Sequence, residues 1–135
     1  MPYTVELLSG ERVEGGIPWP ATGYCQLGKY WFDMDEFCAF IGGLSVGRKP
    51  RWMLRADRPE GLPLLVDVEV SPDSSSIRLG EYALSAESFG RFAHQVAVAG
   101  CGSAWEQSPY AALALEELER SEHPLFAPLR NRLDS

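Results

Sequence analysis

The sequence is short of the residues from which metal sites and covalent active sites are usually built. Its 135 residues include two histidines, His94 and His123, and three cysteines, Cys25, Cys38 and Cys101. No C-x-x-C, H-x-x-x-H or H-x-x-E spacing occurs, so a zinc site would require distant residues to converge. An odd number of widely spaced cysteines is typical of reduced thiols. The composition therefore predicts no metal, no cofactor and no disulfide.

Long apolar runs and linker-like tracts are lacking too. No stretch approaches the ~18 to 20 uncharged apolar residues that a membrane-spanning helix requires. The first residues, 1–6, have neither a basic head nor an apolar signal core. We find no low-complexity tract and no internal repeat at a fixed period. We therefore expect a cytoplasmic protein without membrane contact, in which residues 1–135 form a single globular domain of common size.

Basic residues are outnumbered, because 19 acidic residues against 12 basic ones give a net charge of −7. A negative field repels a phosphate backbone, so we expect no direct nucleic-acid binding and a protein partner with a basic surface. The charge is uneven, since residues 45–58 carry five basic residues and Asp57 alone as an acid. If the arginine segment Arg48 to Arg58 forms the interface instead, the partner is acidic.

Hydrophobic periodicity predicts an α+β fold with an antiparallel sheet of about four to five strands. Alternating apolar residues around a turn at Ser9-Gly10 predict an N-terminal hairpin, and the runs 51–57, 64–70 and 76–84 predict a meander. Residues 15–28 are rich in glycine and proline and predict an extended loop, with a short strand at 29–32. Strands and helices do not alternate regularly, which argues against a parallel sheet.

Two to three helices complete the predicted fold. Asp33 and Glu36 form a capping pair ahead of a helix over 34–44, and Ser85 caps a second helix over 86–99. A third runs from Ser108 to His123, with an irregular tail beyond it. The predicted helices over 34–44 and 86–99 should cover one face of the sheet. The predicted core comprises Phe37, Ile41, Phe89, Phe92, Val66 and Val68, together with Trp52 and Cys38.

Two glycine motifs resemble catalytic or phosphate-binding sequences but lack the required context. Residues 43–47 match G-x-S-x-G, yet they follow a helix, whereas a nucleophile elbow lies between a strand and a helix. Residues 23–30 nearly match a P-loop, but Tyr30 replaces the Ser or Thr that holds magnesium. Both are interpreted as glycine turns. Cys101 and His94 are the one pair that leaves a nucleophilic enzyme open as an alternative.

Acidic pairs and one tryptophan are the candidate contacts for a partner. Asp67 and Glu69 point away from the apolar face of their strand, and Glu116 and Glu117 belong to the wet face of the third helix. Trp19 lies between two prolines in a predicted loop, where it is either an exposed aromatic anchor or a plug over the sheet edge.

A resemblance rests on two segments that are joined by a strand meander. The segments are Trp31-Phe32-Asp33-Met34-Asp35-Glu36-Phe37-Cys38-Ala39-Phe40-Ile41 and Ser85-Ala86-Glu87-Ser88-Phe89-Gly90-Arg91-Phe92-Ala93. Over residues 3–97 this layout is similar to small bacterial immunity-type proteins of polymorphic-toxin systems. The resemblance implies a protein that binds and neutralises a toxin domain without catalysis or a cofactor.

The sequence thus predicts a non-catalytic protein-binding module, most specifically an inhibitor or immunity protein for a basic toxic enzyme such as a nuclease, as a monomer or homodimer. An acidic scaffold can occupy a nucleic-acid-binding cleft through charge complementarity alone. The predicted contact residues are Trp19, Asp67, Glu69, Glu116 and Glu117. A small enzyme using Cys101 and His94, and a structural or regulatory subunit of a larger bacterial assembly, remain as alternatives.

Overall fold

Eight antiparallel strands of the described residues form one sheet, in which neighbours in sequence are neighbours in space. The structure is a computed structural model that describes residues 3–16, 23–44, 51–57, 63–102, 109–120 and 123–133. The strands are β1 Tyr3–Glu6, β2 Arg12–Gly16, β3 Tyr24–Leu27, β4 Tyr30–Asp33, β5 Arg51–Asp57, β6 Leu64–Val70, β7 Ser76–Leu79 and β8 Tyr82–Ser85. The helices are α1 Met34–Gly42, α2 Ala86–Gly102, α3 Ala111–Arg120 and α4 Ala127–Leu133.

The α+β class and the antiparallel sheet are as predicted, but the expected four to five strands are too few. Part of the glycine-rich stretch 15–28 is strand, because β2 extends to Gly16 and β3 begins at Tyr24. The run 76–84 is two strands, since the chain reverses at Gly80. Gly28 and Gly80 have φ angles of +59° and +61°, and each begins a two-residue turn that needs such a conformation.

The prediction of no internal repeat is wrong. The strands β1 to β4 with α1, called the first half, have the same element order as β5 to β8 with α2, called the second half. A common pattern, Leu-Gly-x-Tyr-x-x-x-x-x-x-Phe, spans 27–37 and again 79–89, offset by 52 residues. Both helices begin alike, because Asp33 accepts from the Glu36 amide at 3.0 Å and Ser85 from the Ser88 amide at 3.1 Å.

The two halves interlock through equivalent tyrosines. Tyr82 accepts a hydrogen bond from the Lys29 amide at 3.1 Å, and Tyr30 accepts one from the Glu81 amide at 3.2 Å. The two rings meet edge to face with centroids 5.3 Å apart. Each hydroxyl lies over the turn glycine of the other half, so each tyrosine completes the opposite hairpin.

The ends of the sheet also approach each other. The Leu8 amide, in the β1–β2 turn, donates to the Ala83 carbonyl of β8 at 2.8 Å. In the middle of the chain the equivalent place is the β4–β5 ladder, where Trp31 is registered with Asp57. The contact between β8 and the β1–β2 turn therefore joins the two halves much as the β4–β5 ladder does.

The helices pack on the buried face of the sheet, and both halves share one core. All six residues predicted for that core are buried, and so is Cys38. Trp52 is only half-buried, with its ring 5.3 Å from Phe40 in an edge-to-face contact. The predicted irregular tail is wrong: Pro124–Phe126 form a 3₁₀ turn that leads into α4. Burial of Leu125, Phe126 and Leu129 explains this order.

Candidate protein-binding surfaces

Of the four predicted contact regions, the structure describes the two acidic pairs in full. Trp19 lies outside the described residues, as do Arg48, Lys49 and Arg58 of the arginine segment. The pair Asp67 and Glu69 lies on β6, and the pair Glu116 and Glu117 lies on α3. The two acidic pairs are on different elements and do not form one patch through the contacts of the described residues, so each is considered by itself.

The two carboxylates on β6 form ion pairs with an arginine of the neighbouring strand. Glu69 is registered opposite Arg78 of β7, whose guanidinium lies 3.2 Å from the Glu69 carboxylate and 4.0 Å from that of Asp67. Cross-strand pairs of opposite charge stabilise a sheet, so these carboxylates have a local role. The same outer surface exposes Met53 and Leu65 on adjacent strands. It is therefore mixed in character, with apolar side chains beside a partly neutralised charge cluster.

The acids of α3 are arranged differently. The helix buries Ala111, Ala114 and Leu118 against the other helices, and Glu116 is exposed. Among the described residues Glu116 has no ion pair or hydrogen bond. Glu117 is half-buried, and its Oε1 atom is shielded from solvent without a hydrogen-bond partner in the described part of the chain.

An orphaned carboxylate oxygen of this kind is unusual, because nearly all buried polar atoms in proteins have a partner. A buried acceptor left unpaired costs about 1 to 3 kcal/mol, and more if it carries charge. The other oxygen of the carboxylate is accessible, so a cationic donor from outside the chain can stabilise the charge that the two oxygens share. Glu117 is thus better suited to receive a cationic group than a fully solvated carboxylate.

Apolar surface and a shallow hollow lie beside these acids. Leu113, one helical turn before Glu117, is 57% exposed although it lies next to Gly42 of α1. On the α2 side a hollow of about 260 Å³ is lined by Cys101, Ala112, Leu115, Glu116, Glu119 and Arg120. The α1 side of α3 thus has the exposed Leu113 beside Glu117, and the α2 side has the hollow beside Glu116; apolar and charged groups of this kind are found at protein interfaces.

Cys101 and His94 do not form a catalytic pair in this structure. Both lie on α2, and seven residues of helix span roughly 10 Å along the axis, beyond hydrogen-bond reach. His94 instead contacts Glu119 of α3 through Nε2 at 3.2 Å. Cys101 is exposed, while Cys25 and Cys38 are buried. Burial raises the pKa of the Cys25 thiol well above 9.0 and that of Cys38 to about 12, so neither is an accessible nucleophile.

The described residues contain no group of three or more His, Cys, Asp or Glu side chains that could hold a metal. Within the same residues no helix has the length and apolarity needed to cross a membrane. No protein family, no curated protein and no solved structure matches the chain. The resemblance to immunity-type proteins therefore stays a prediction.

Two features of these surfaces were missed in the sequence. Arg78 was not identified as the partner of Asp67 and Glu69, because the strand register that brings them together cannot be read from one strand. The exposure of Leu113 was not predicted, although Leu113 and Leu115 are separated by about 200° around a helix and cannot share a face. That angle was available from the sequence.

Proposed function

We propose that this protein is a non-catalytic binding module that inhibits a basic toxic enzyme, such as a nuclease, through the exposed surface of α3. In this proposal Glu116 and Glu117 receive basic side chains of the enzyme, and Leu113 is the apolar contact between them and α1. The net charge of −7 favours a partner of opposite sign, and charge complementarity of this kind raises the association rate and excludes acidic competitors.

The observation that carries the proposal is the orphaned oxygen of Glu117. A cationic donor from a partner can pair with the other, accessible oxygen of this carboxylate and stabilise the charge that the two oxygens share. By contrast, a partner that docked on Asp67 and Glu69 would compete with Arg78, which already neutralises them in part. The structure therefore favours α3 over β6 among the predicted acidic contacts.

The first experiment uses the protein as bait in its native host, with quantitative mass spectrometry. Wild type is compared with Glu116→Lys/Glu117→Lys and with the matched reversal Asp67→Lys/Glu69→Lys, after circular dichroism has shown that all three are folded. The proposal expects one stoichiometric basic enzyme that is lost with the α3 variant and kept with the β6 variant. If the β6 reversal alone removes it, the interface is the outer sheet surface.

The second experiment uses the purified enzyme. Wild type should inhibit it at one-to-one stoichiometry, and added salt should slow association, because salt screens attraction between exposed charges. The α3 reversal should weaken binding at least about tenfold, or roughly 1.4 kcal/mol. Undiminished inhibition by the α3 variant, or capture of several subunits of one assembly in place of an enzyme, would contradict the proposal.

A further inference from the structure

The first half contains a carboxylate that closes the space between its helix and the adjoining strand. Glu36, in the first turn of α1, accepts a hydrogen bond from the backbone amide of Arg55 on β5 at 2.8 Å. This contact was not expected, because Asp33 and Glu36 were interpreted as a helix-capping pair only. Asp33 does cap the helix, while the Glu36 side chain reaches across to the strand.

The corresponding atoms beside α2 follow from the register. Leu8 and Asp57 occupy equivalent places opposite Ala83 and Trp31, so Glu6 of β1 corresponds to Arg55 of β5. The 52-residue offset that relates the capping residues places Ser88 of α2 where α1 has Glu36. A serine side chain is too short to make the contact that Glu36 makes.

The Glu6 amide points toward this gap. Leu7 donates to the Glu11 carbonyl at 2.8 Å, so residues 7, 5 and 3 form the hydrogen-bonded pairs with β2. The intervening residues, Thr4 and Glu6, therefore direct their amides away from β2, on the side from which Leu8 donates to Ala83. That side faces α2, as the Arg55 amide faces α1.

A cavity lies where the first half has the Glu36 carboxylate. It has a volume of about 320 Å³ and is lined by Thr4, Val5, Glu6, Arg12, Ser88, Arg91, Phe92 and Gln95. Two of these residues are cations that have no counterpart beside Glu36. Arg91 corresponds to Ala39 and Arg12 to Leu65. The space between α2 and β1 thus has a cavity, an outward-facing amide and two arginines at the place where α1 has an internal carboxylate, while Glu6 takes the place of Arg55.

We propose that this cavity, called the seam cavity, binds the carboxylate group of a small organic acid. The carboxylate takes the place of Glu36, accepting from the Glu6 amide and pairing with Arg91 and Arg12. Both arginines have exposed ion pairs in the structure, Arg12 with Glu6 at 3.9 Å and Arg91 with Glu87 at 3.6 Å. Exposed pairs contribute little, so a ligand can exchange for them. The site does not involve α3 and is independent of the inhibitory function proposed above.

The binding test is a titration of the ¹⁵N-labelled protein with glutarate, followed by amide chemical shifts. The Glu6 and Ser88 amides should shift saturably, and the Arg55 amide, already bonded to Glu36, should not. Arg91→Ala should weaken binding at least about tenfold, as loss of a charge-assisted hydrogen bond does. Arg78→Ala, which removes an arginine that does not line the cavity, is the matched control and should bind as wild type does.

Two further ligands identify the source of the carboxylate. Tighter binding of glutarate than of a capped glutamate peptide assigns the site to a free acid, and the reverse order assigns it to an acidic side chain of a protein. Equal binding of inorganic phosphate would overturn the preference for a carboxylate. Absence of saturable shifts at Glu6 with all three ligands would overturn the site itself.

A substitution can also place a carboxylate of the protein itself in the seam cavity. Ser88→Glu should place a carboxylate in the seam cavity as Glu36 does in the first half, raise the melting temperature and abolish glutarate binding. Ser88→Gln has nearly the same size without the charge and should block binding with a smaller gain in melting temperature. If Ser88→Glu leaves both the melting temperature and glutarate binding unchanged, the equivalence of the two positions is wrong.

Discussion

The two halves of the sheet have the same order of elements but different surfaces. In both, a glycine turn, a tyrosine and a helix with a buried phenylalanine follow at the same spacing. The helix α1 is fixed to β5 by Glu36, whereas the equivalent space between α2 and β1 is the seam cavity. Buried positions therefore determine the shared fold, and a few exposed helix positions decide what each half can bind.

The helices that follow the second half are not part of the repeat. The helix α3 lies against both α1 and α2 and has no counterpart within either half. It also carries Glu117, whose orphaned oxygen supports the proposed inhibitory surface. The most distinctive candidate for partner binding is thus in the part of the chain that the repeat does not explain.

The largest expected effect is the loss of an equivalent phenylalanine from either half. Phe37 and Phe89 are both fully buried, and their rings meet at 6.5 Å. Phe37→Ala and Phe89→Ala should each lower the free energy of unfolding by about 3 to 5 kcal/mol, as large-to-small core substitutions do. Chemical denaturation measures this, and Leu65→Ala, at an exposed position, is the control. A loss below about 1 kcal/mol in only one half would show that the halves do not share a core equally.

The turn glycines should give the next largest effect. A Cβ atom added at Gly28 or Gly80 would lie 2.3 Å from the hydroxyl of Tyr82 or Tyr30. Gly28→Ala and Gly80→Ala should each lower the free energy of unfolding by at least about 2 kcal/mol, from backbone strain and the displaced tyrosine together. Gly10→Ala is the control for strain alone, because its φ is +92° and nothing lies within 4 Å of the added atom. Equal losses at all three sites would argue against the interlocked tyrosines.

Removal of the Glu36 carboxylate sharpens the contrast between the halves. Glu36→Ala loses the hydrogen bond to the Arg55 amide and should lower the free energy of unfolding by about 1 kcal/mol. Ser88→Ala, at the equivalent position, should stay within about 0.5 kcal/mol of wild type, because the Ser88 side chain makes no such contact. Thermal and urea unfolding of both variants test this. Equal losses in the two variants would mean that the Glu36 side chain does not stabilise the contact between α1 and β5.

The cysteine thiols of the two halves should differ in their reactivity with a thiol reagent. This difference can be measured near neutral pH, where the free energy of unfolding is unchanged. At pH 8 in the native state only Cys101 should react with a thiol reagent, and all three cysteines should react after denaturation. Since folding raises the pKa of Cys25 and Cys38 above 9.0, their contribution to stability is present below that pH and is lost as pH rises further. Native-state labelling of Cys25 or Cys38 at the rate of Cys101 would contradict the burial of the first-half thiols.

Much of the fold follows from local patterns. Alternation predicted β5 and β6 with their bounds, and the helical period predicted the cores of α1 and α2. The strand count was wrong because Gly28 and Gly80 were interpreted without their turn geometry. Tyr30, which made residues 23–30 a poor P-loop, has a structural role in covering Gly80.

The repeat was missed because most equivalent positions match in type and not in identity. Cys25 corresponds to Ile77 and Phe32 to Leu84. Over residues 24–41 only one leucine, one glycine, one tyrosine and two phenylalanines are the same. The orphaned oxygen of Glu117 could not be predicted either. It depends on how α3 packs against other helices, and the sequence places Glu117 simply on a wet face.

The interlock of the two halves is tested most directly by a nuclear Overhauser spectrum of the native protein. The account predicts two reciprocal sets of cross-peaks of similar strength, from the Tyr82 ring to the Gly28 α-protons and from the Tyr30 ring to the Gly80 α-protons. A strong cross-peak between the two tyrosine rings should accompany them. If one set is present without the other, or if both are missing while β3–β4 and β7–β8 are intact, the two hairpins do not complete each other and the equivalence of the halves is wrong.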